Sequence, residues 1–175
     1  MEFVHTKGSK VDLTKIKPGY LFATPPSSWW QRWICKILGA STWHWGCFIS
    51  PDSKGWIITE SINKGVALTR CDYPKIRVYK IKGLEVTPKR LIGLVADYGA
   101  YPYDYDVYLK TAIWFLLKHY LGKLLPRHHD KEFHCQEWVC LLAYELGHPI
   151  INQGEYPMPQ SLENSDKLDL VYGDF

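Results

Sequence analysis

The sequence predicts an α+β domain, with a small antiparallel sheet packed against helices on one side. Three observations predict it. Four short β-rich runs follow one another between residues 43 and 81, punctuated by turn signals. Segments with apolar residues at helical spacing precede and follow them. A length of 175 residues suits a single domain spanning 1–175, which buries roughly 70% of its unfolded surface without metal or disulfide staples.

The elements follow in order. Lys17-Pro18-Gly19-Tyr20 is a turn that feeds the apolar run Tyr20 to Ala23. Ser27-Ser28 offers an N-cap for a helix carrying Trp29, Trp30, Trp33, Ile34, Ile37 and Leu38, closed by Gly39. Helical spacing assigns the three tryptophans to the core, with a lipid-facing or glycan-stacking role as the alternative. Trp43 to Ser50, Trp56 to Ser61, Val66 to Thr69 and Ile76 to Ile81 read as strands. Residues 51–55 and Asn63-Lys64-Gly65 are turns between them. Thr87-Pro88 caps a helix that runs to about Tyr98 and stops at Gly99. Asp106 to Leu125 is predicted as a longer helix, its apolar stripe core or lid, interrupted by Lys110, Lys118, His119 and Lys123, so amphipathic rather than membrane-spanning. A third helix opens near Cys135, buries Val139, Leu142, Ala143 and Leu146, and stops at Gly147. The tail from Pro157 reads as irregular.

Composition bounds the function. The chain has 46% hydrophobic and 22% charged residues, ordinary for a globular protein. A net charge of +3 is too small to argue for nucleic acid, and permits contact with anionic lipid or cell-wall polymer. Eight Trp and twelve Tyr suggest a sticky groove or an amphipathic surface, so peripheral membrane contact is an expectation. The start, Met1 to His5, shows no secretory signal. Five cysteines without paired spacing then imply free thiols in a reducing, cytoplasmic compartment.

Three segments attract chemistry: residues 41–46 on the first strand of the meander, Thr59-Glu60-Ser61 on the next, and residues 133–138 opening the third helix. If residues 51–55 form a five-residue hairpin loop, Ser50 opposes Trp56 and Gly46 opposes Glu60. His44 and Glu60 then project from one face as diagonal neighbours, roughly 7–8 Å apart. A one-residue slip would separate them. Glu60 could fix the imidazole tautomer, leaving the other ring nitrogen as base. Cys135 gains from opening a helix beside an imidazolium, where a thiol pKa falls to roughly 3.5–7.5. A two-unit shift corresponds to about 2.7 kcal/mol. The helix end supplies only about 0.3–1 kcal/mol, so the imidazolium supplies much of the rest.

The series Leu13 to Gly19, residues 41–46, Glu60 with Gly65-Val66, Gly99 to Tyr103-Asp104, His134-Cys135-Gln136-Glu137 and the closing residues 160–165 resembles the permuted NlpC-type hydrolases, the YiiX-like group. The resemblance implies a permuted papain-like fold and a site made of His44, Glu60 and Cys135. The His-Trp-Gly triplet at 44–46 is also similar to lecithin:retinol acyltransferase-like proteins, which act on lipid acyl groups. Tyr20 stands where the family usually has Asp, and Gln136 where it usually has Ser. Glu60 replaces the second histidine of the acyltransferase branch, which favours the YiiX-like side.

Each residue also has a plainer reading. Cys135 alone would be a small core residue, as Cys140 is taken to be. His44 alone would be a satisfied core histidine and Glu60 a solvated strand residue. Alternation points Cys47 away from His44. His128, His129, His134 and Cys135 do not match a regular structural-zinc spacing, so no metal or other cofactor is expected. His134 and Trp45 are candidates for lining the substrate site, and Tyr103 and Asp104 border the cleft or form a turn. The functional expectation is a thiol amidase or peptidase acting on peptide or peptidoglycan-like targets. The alternatives are a lipid acyl hydrolase or acyltransferase with the same residues, and a catalytically idle binding domain.

Overall fold

The computed structural model describes residues 13–62, 65–99, 134–173 and 175. The helix predicted over 106–125, and with it Tyr103 and Asp104, lies outside the described residues. After a single 3-10 turn at Leu13–Lys15 come β1 (Leu21–Thr24), α1 (Trp29–Leu38), β2 (His44–Asp52), β3 (Gly55–Ile62), β4 (Gly65–Arg70) and β5 (Arg77–Ile81). They are followed by α2 (Pro88–Tyr98), α3 (Cys135–Glu145), α4 (Pro159–Glu163) and β6 (Leu168–Tyr172). The six strands form one sheet in the order β4-β3-β2-β1-β5-β6, with every pair antiparallel. An α+β domain with an antiparallel sheet packed against helices is therefore what the chain forms.

The alternating side chains of the central strands feed two cores. On one face Leu21, Ala23, Trp45, Cys47, Ile49, Tyr79 and Ile81 pack against Leu91, Leu94 and Val95 of α2 and Trp138, Val139 and Leu142 of α3. On the other, Phe22, Phe48, Ile58 and Val78 meet Ile16, Trp56, Cys71 and Ile76 from strand ends and connections. Strands buried on both faces explain why β1 and β2 read as nearly continuous apolar runs.

The hairpin between β2 and β3 differs from the five-residue loop that the turn residues suggested. The ladder continues to Asp52 opposite Gly55, leaving a two-residue turn of Ser53 and Lys54. Asp52 Oδ1 accepts the Lys54 N–H at 2.8 Å, and Gly55 takes φ 132°, which only glycine adopts readily. A bulge between Phe48 and Ser50 takes up one residue, so Gly46 still faces Glu60. The two departures cancel at the site end of the strands.

Two further expectations are corrected. The tail is not irregular: Pro159 opens the one-and-a-half-turn α4, and β6 pairs with β5 at the sheet edge. Four of its five residues, Leu168, Leu170, Val171 and Tyr172, are apolar or aromatic, so the strand had a signal that went unread; as an edge strand it is half solvated, with Leu170 exposed. More consequentially, Trp29, Trp30 and Trp33 are not core; they are 76%, 40% and 57% exposed. Helical spacing identifies an apolar face but not the direction it points. The N-caps are as read: Ser28 for α1 and Thr87 for α2.

Candidate active site

The site lies where β2 begins and α3 begins, because those two ends of the chain converge. Glu163 of α4 prepares the approach to β2. Its carboxylate accepts the Ser41 and Thr42 backbone N–H groups at 2.9 and 2.6 Å, and both hydroxyls of those residues as well. Thr42 Oγ1 in turn accepts the Trp45 indole N–H at 3.0 Å. With the loop fixed, Trp43 presents its carbonyl to α3: Gln136 Nε2 donates to it at 2.8 Å and Cys135 Sγ lies 3.9 Å away.

His44 is the first residue of β2, and Glu60 lies on β3 opposite Gly46, so the two side chains are diagonal neighbours on one face. His44 Nε2 is 2.7 Å from Glu60 Oε2. Glu60 is held from two more directions. Thr69 Oγ1 donates to Oε1 at 2.5 Å, and the Tyr73 hydroxyl donates to Oε2 at 2.5 Å. Burial alone would raise the Glu60 pKa, but His44, Thr69 and Tyr73 together hold it below the ordinary carboxylate range. The rings of Phe22 and Tyr73 flank the imidazole at 6.2 and 5.9 Å. Phe22 can lie there only because position 46 is glycine: a Cβ would drive into the Phe22 ring and come within 2.7 Å of the Thr59 carbonyl oxygen.

Cys135 is the first residue of α3 and is fully buried. His44 Nε2 is engaged by Glu60, which leaves Nδ1 as the ring nitrogen open to a second partner, and His44 and Cys135 are close enough to perturb each other's pKa. His134, the N-cap of the same helix, also acts on the thiol. Burial opposes a thiolate here, but the charge on His44 and hydrogen bonds from both histidines outweigh it and lower the Cys135 pKa. Conversely burial opposes a charged His44, while Cys135 and Glu60 raise its pKa. Each of the two groups thus favours the charged form of the other. The other four cysteines go the opposite way. Burial pushes Cys35 and Cys71 up to about 11 and Cys47 to about 12, and it raises Cys140 too.

His134 and Gln136 complete the setting. His134 is 3% exposed, its backbone N–H donates to Glu137 Oε2 at 3.2 Å, and its ring accepts the Glu137 N–H, a capping box built on histidine. Its Nε2 lies 3.3 Å from the Tyr156 hydroxyl. Burial opposes its charge, but contacts with Cys135 and Glu137 raise its pKa. Gln136 Oε1 lies 2.9 Å from His134 Nδ1 and 3.1 Å from Cys135 Sγ. Gln136 thus ties the helix start to the Trp43 carbonyl.

The structure brings together four residues singled out in the sequence: Cys135, His44, Glu60 and His134. Trp45 is a correction: it is 0% exposed and stacked on Tyr79 at 4.9 Å, so it supports β2 from the core and offers no surface to a substrate. Its indole follows alternation, which sends it to the face opposite His44. Sequence reasoning missed Thr69, Tyr73 and Glu163. Thr69 had a signal, since it lies two residues beyond the Glu60 partner Ala67 and shares its face. Tyr73 and Glu163 sit in a connection and a short helix, where no periodicity marks a direction.

No family model matches the chain, and no curated protein matches it. Among solved structures the chain is similar to the crystal structure of metalloprotein yiiX from Escherichia coli O157:H7, at 16% identity and a TM-score of 0.52. The match covers 91% of this chain and 98% of that one. At that identity the likeness is one of fold: the chain has a YiiX-like α+β fold.

Proposed function

We propose that this chain is a permuted NlpC-type, papain-like cysteine hydrolase that cleaves amides through Cys135, His44 and Glu60. The observation that carries the reading is the contrast among five cysteines. Cys135 alone has its thiol pKa lowered, at a helix N-terminus and between two imidazoles. In the proposed reaction the Cys135 thiolate attacks the amide carbonyl carbon, and N–H groups at the start of α3 receive the developing oxyanion. The His44 imidazolium gives its proton to the leaving amine as the C–N bond breaks, leaving a thioester on Cys135. Neutral His44 then takes a proton from water, whose oxygen attacks the thioester and releases the acid. Glu60 holds the ring orientation and favours its charged form throughout.

Peptides and peptidoglycan-like amides are the substrates this reading favours. A second reading, transfer or hydrolysis of lipid acyl groups by the same residues, is favoured by the exposed tryptophans of α1. A binding domain that keeps the fold without turnover is the remaining alternative. The word metalloprotein belongs to the structural neighbour. Among the described residues no three His, Cys, Asp or Glu side chains form a metal-holding group, and His128 and His129 lie outside the described residues. Five free cysteines support placement in a reducing compartment, the cytoplasm. No described helix is long and apolar enough to cross a membrane.

The test is alkylation with iodoacetamide, small enough to reach a buried sulfur, read by peptide mass mapping across pH. Cys135 is expected to label far faster than Cys35, Cys47, Cys71 and Cys140 at pH 7, with an inflection below that of an ordinary thiol near 8.5. His44→Ala should move that inflection upward. Equal labelling of all five cysteines at pH 7 would sink the thiolate reading. Release of amines from muropeptides separates the amidase from the lipid reading, and a reactive Cys135 with no turnover on either substrate favours the binding domain.

A further inference from the structure

We propose that α1 is an interfacial helix by which the chain docks onto anionic membrane surfaces. Large aromatic side chains bury much area on folding, and leaving three of them on one ten-residue helix in water forgoes that burial. Trp29, Trp30 and Trp33 are nevertheless exposed, while Cys35 is the helix's buried residue and anchors it by donating to the Thr42 carbonyl at 3.3 Å. At about 100° per residue, Trp29, Trp33 and Ile37 line up along the outward face, with Trp30 and Ile34 beside them. Arg32 and Lys36, both exposed, run along the flank of this face, and the helix contains no acidic residue. An apolar stripe rich in tryptophan and edged by basic side chains is the chemistry of a helix that sits at the level of lipid headgroups. Tryptophan suits that level because its ring is apolar and its N–H is polar. The basic flank selects an anionic surface over a zwitterionic one.

The helix is preformed for this role. Ser28 and Gln31 make a reciprocal capping box at its start, and Gly39 closes it in the left-handed conformation at φ 66°. It is also joined to the candidate site, because Trp30 packs edge-on against Trp43 at 5.1 Å, and the Trp43 carbonyl is the acceptor for Gln136 beside Cys135. Docking by this face would set the opening end of β2 close to the membrane plane. The inference stands on exposure and charge pattern, independently of the thiol chemistry.

The experiment is co-sedimentation of the full chain with vesicles of phosphatidylcholine containing phosphatidylserine, at low and high salt. Binding is expected with these vesicles, and weaker binding with phosphatidylcholine alone or at high salt. Trp29→Ser with Trp33→Ser should weaken it by at least about tenfold, which corresponds to about 1.4 kcal/mol. Arg32→Glu with Lys36→Glu should weaken binding to the anionic vesicles only. Because all four side chains are exposed, the variants should keep the wild-type melting temperature. Cys135→Ala should bind as the wild type does. Failure of the wild-type chain to bind, or equal binding by the tryptophan variant, would overturn the proposal. So would self-association abolished by the tryptophan changes in a chain that ignores vesicles, since a second copy would then cover the face.

Discussion

Glu60 receives three hydrogen bonds on two oxygens, from His44, Thr69 and Tyr73, and this fixes both its position and its charge. Its hydrogen bond and charge raise the His44 pKa. Glu60→Gln retains the shape and removes the charge. The His44 pKa should fall, the Cys135 inflection should rise, and the alkylation rate below the inflection should drop about tenfold for each unit of that rise. Iodoacetamide rates from pH 4 to 9 measure this. A profile superimposable on wild type would show that Glu60 does not tune the pair. Alternation places His44 and Glu60 on one face, but the register that pairs them came out as read only because the bulge between Phe48 and Ser50 offset a shorter hairpin turn. Thr69 was legible by the same rule and overlooked. Tyr73 was not legible, since a loop residue three positions past a strand can point anywhere.

At the scale of elements, the His-Trp-Gly triplet divides its work between the two faces of β2. His44 faces the site, Trp45 fills the core beneath α3, and Gly46 leaves room for the Phe22 ring that walls the imidazole. Gly46→Ala should therefore destabilise the chain by about 1–3 kcal/mol, the usual effect of overpacking. It should also slow Cys135 alkylation, by pushing Phe22 against His44. Urea unfolding midpoints check the first expectation and labelling rates the second. Wild-type values for both would mean the strands relax around the added methyl. Helix starts were readable from their caps and strand bodies from their composition. The end of the hairpin was not, because the residues at 51–55 signal a turn without stating how many of them stay in the ladder. The bulge at Ile49 then restored the register that a longer loop would have produced.

For the whole molecule, buried charge near the site makes stability depend on acid. The folded-state pKa of Glu60 is lowered, so its contribution is present at neutral pH and is lost as pH falls through that lowered value. Wild type should therefore lose stability steeply below the ordinary carboxylate pKa near 4.3, and Glu60→Gln should lose less over the same range. Urea midpoints at pH 6, 4 and 3 test this. The gap between the two proteins should narrow on acidification, and a constant gap would assign the stability of Glu60 to packing.

Local periodicity and capping chemistry, written in neighbouring residues, were enough for the α+β class, the helix caps and the central strands, whereas Cys135 was picked from five cysteines by its place at a helix start together with the family resemblance. Only the tertiary structure decided which way the faces point. It turned Trp45 inward and the tryptophans of α1 outward, and paired the tail run Leu168–Tyr172 with β5 at the sheet edge. It brought Glu163 back across the chain to fix the loop before His44. Most decisively, it set two imidazoles against one thiol of five, a pKa outcome that burial and charge in three dimensions determine and chain order does not.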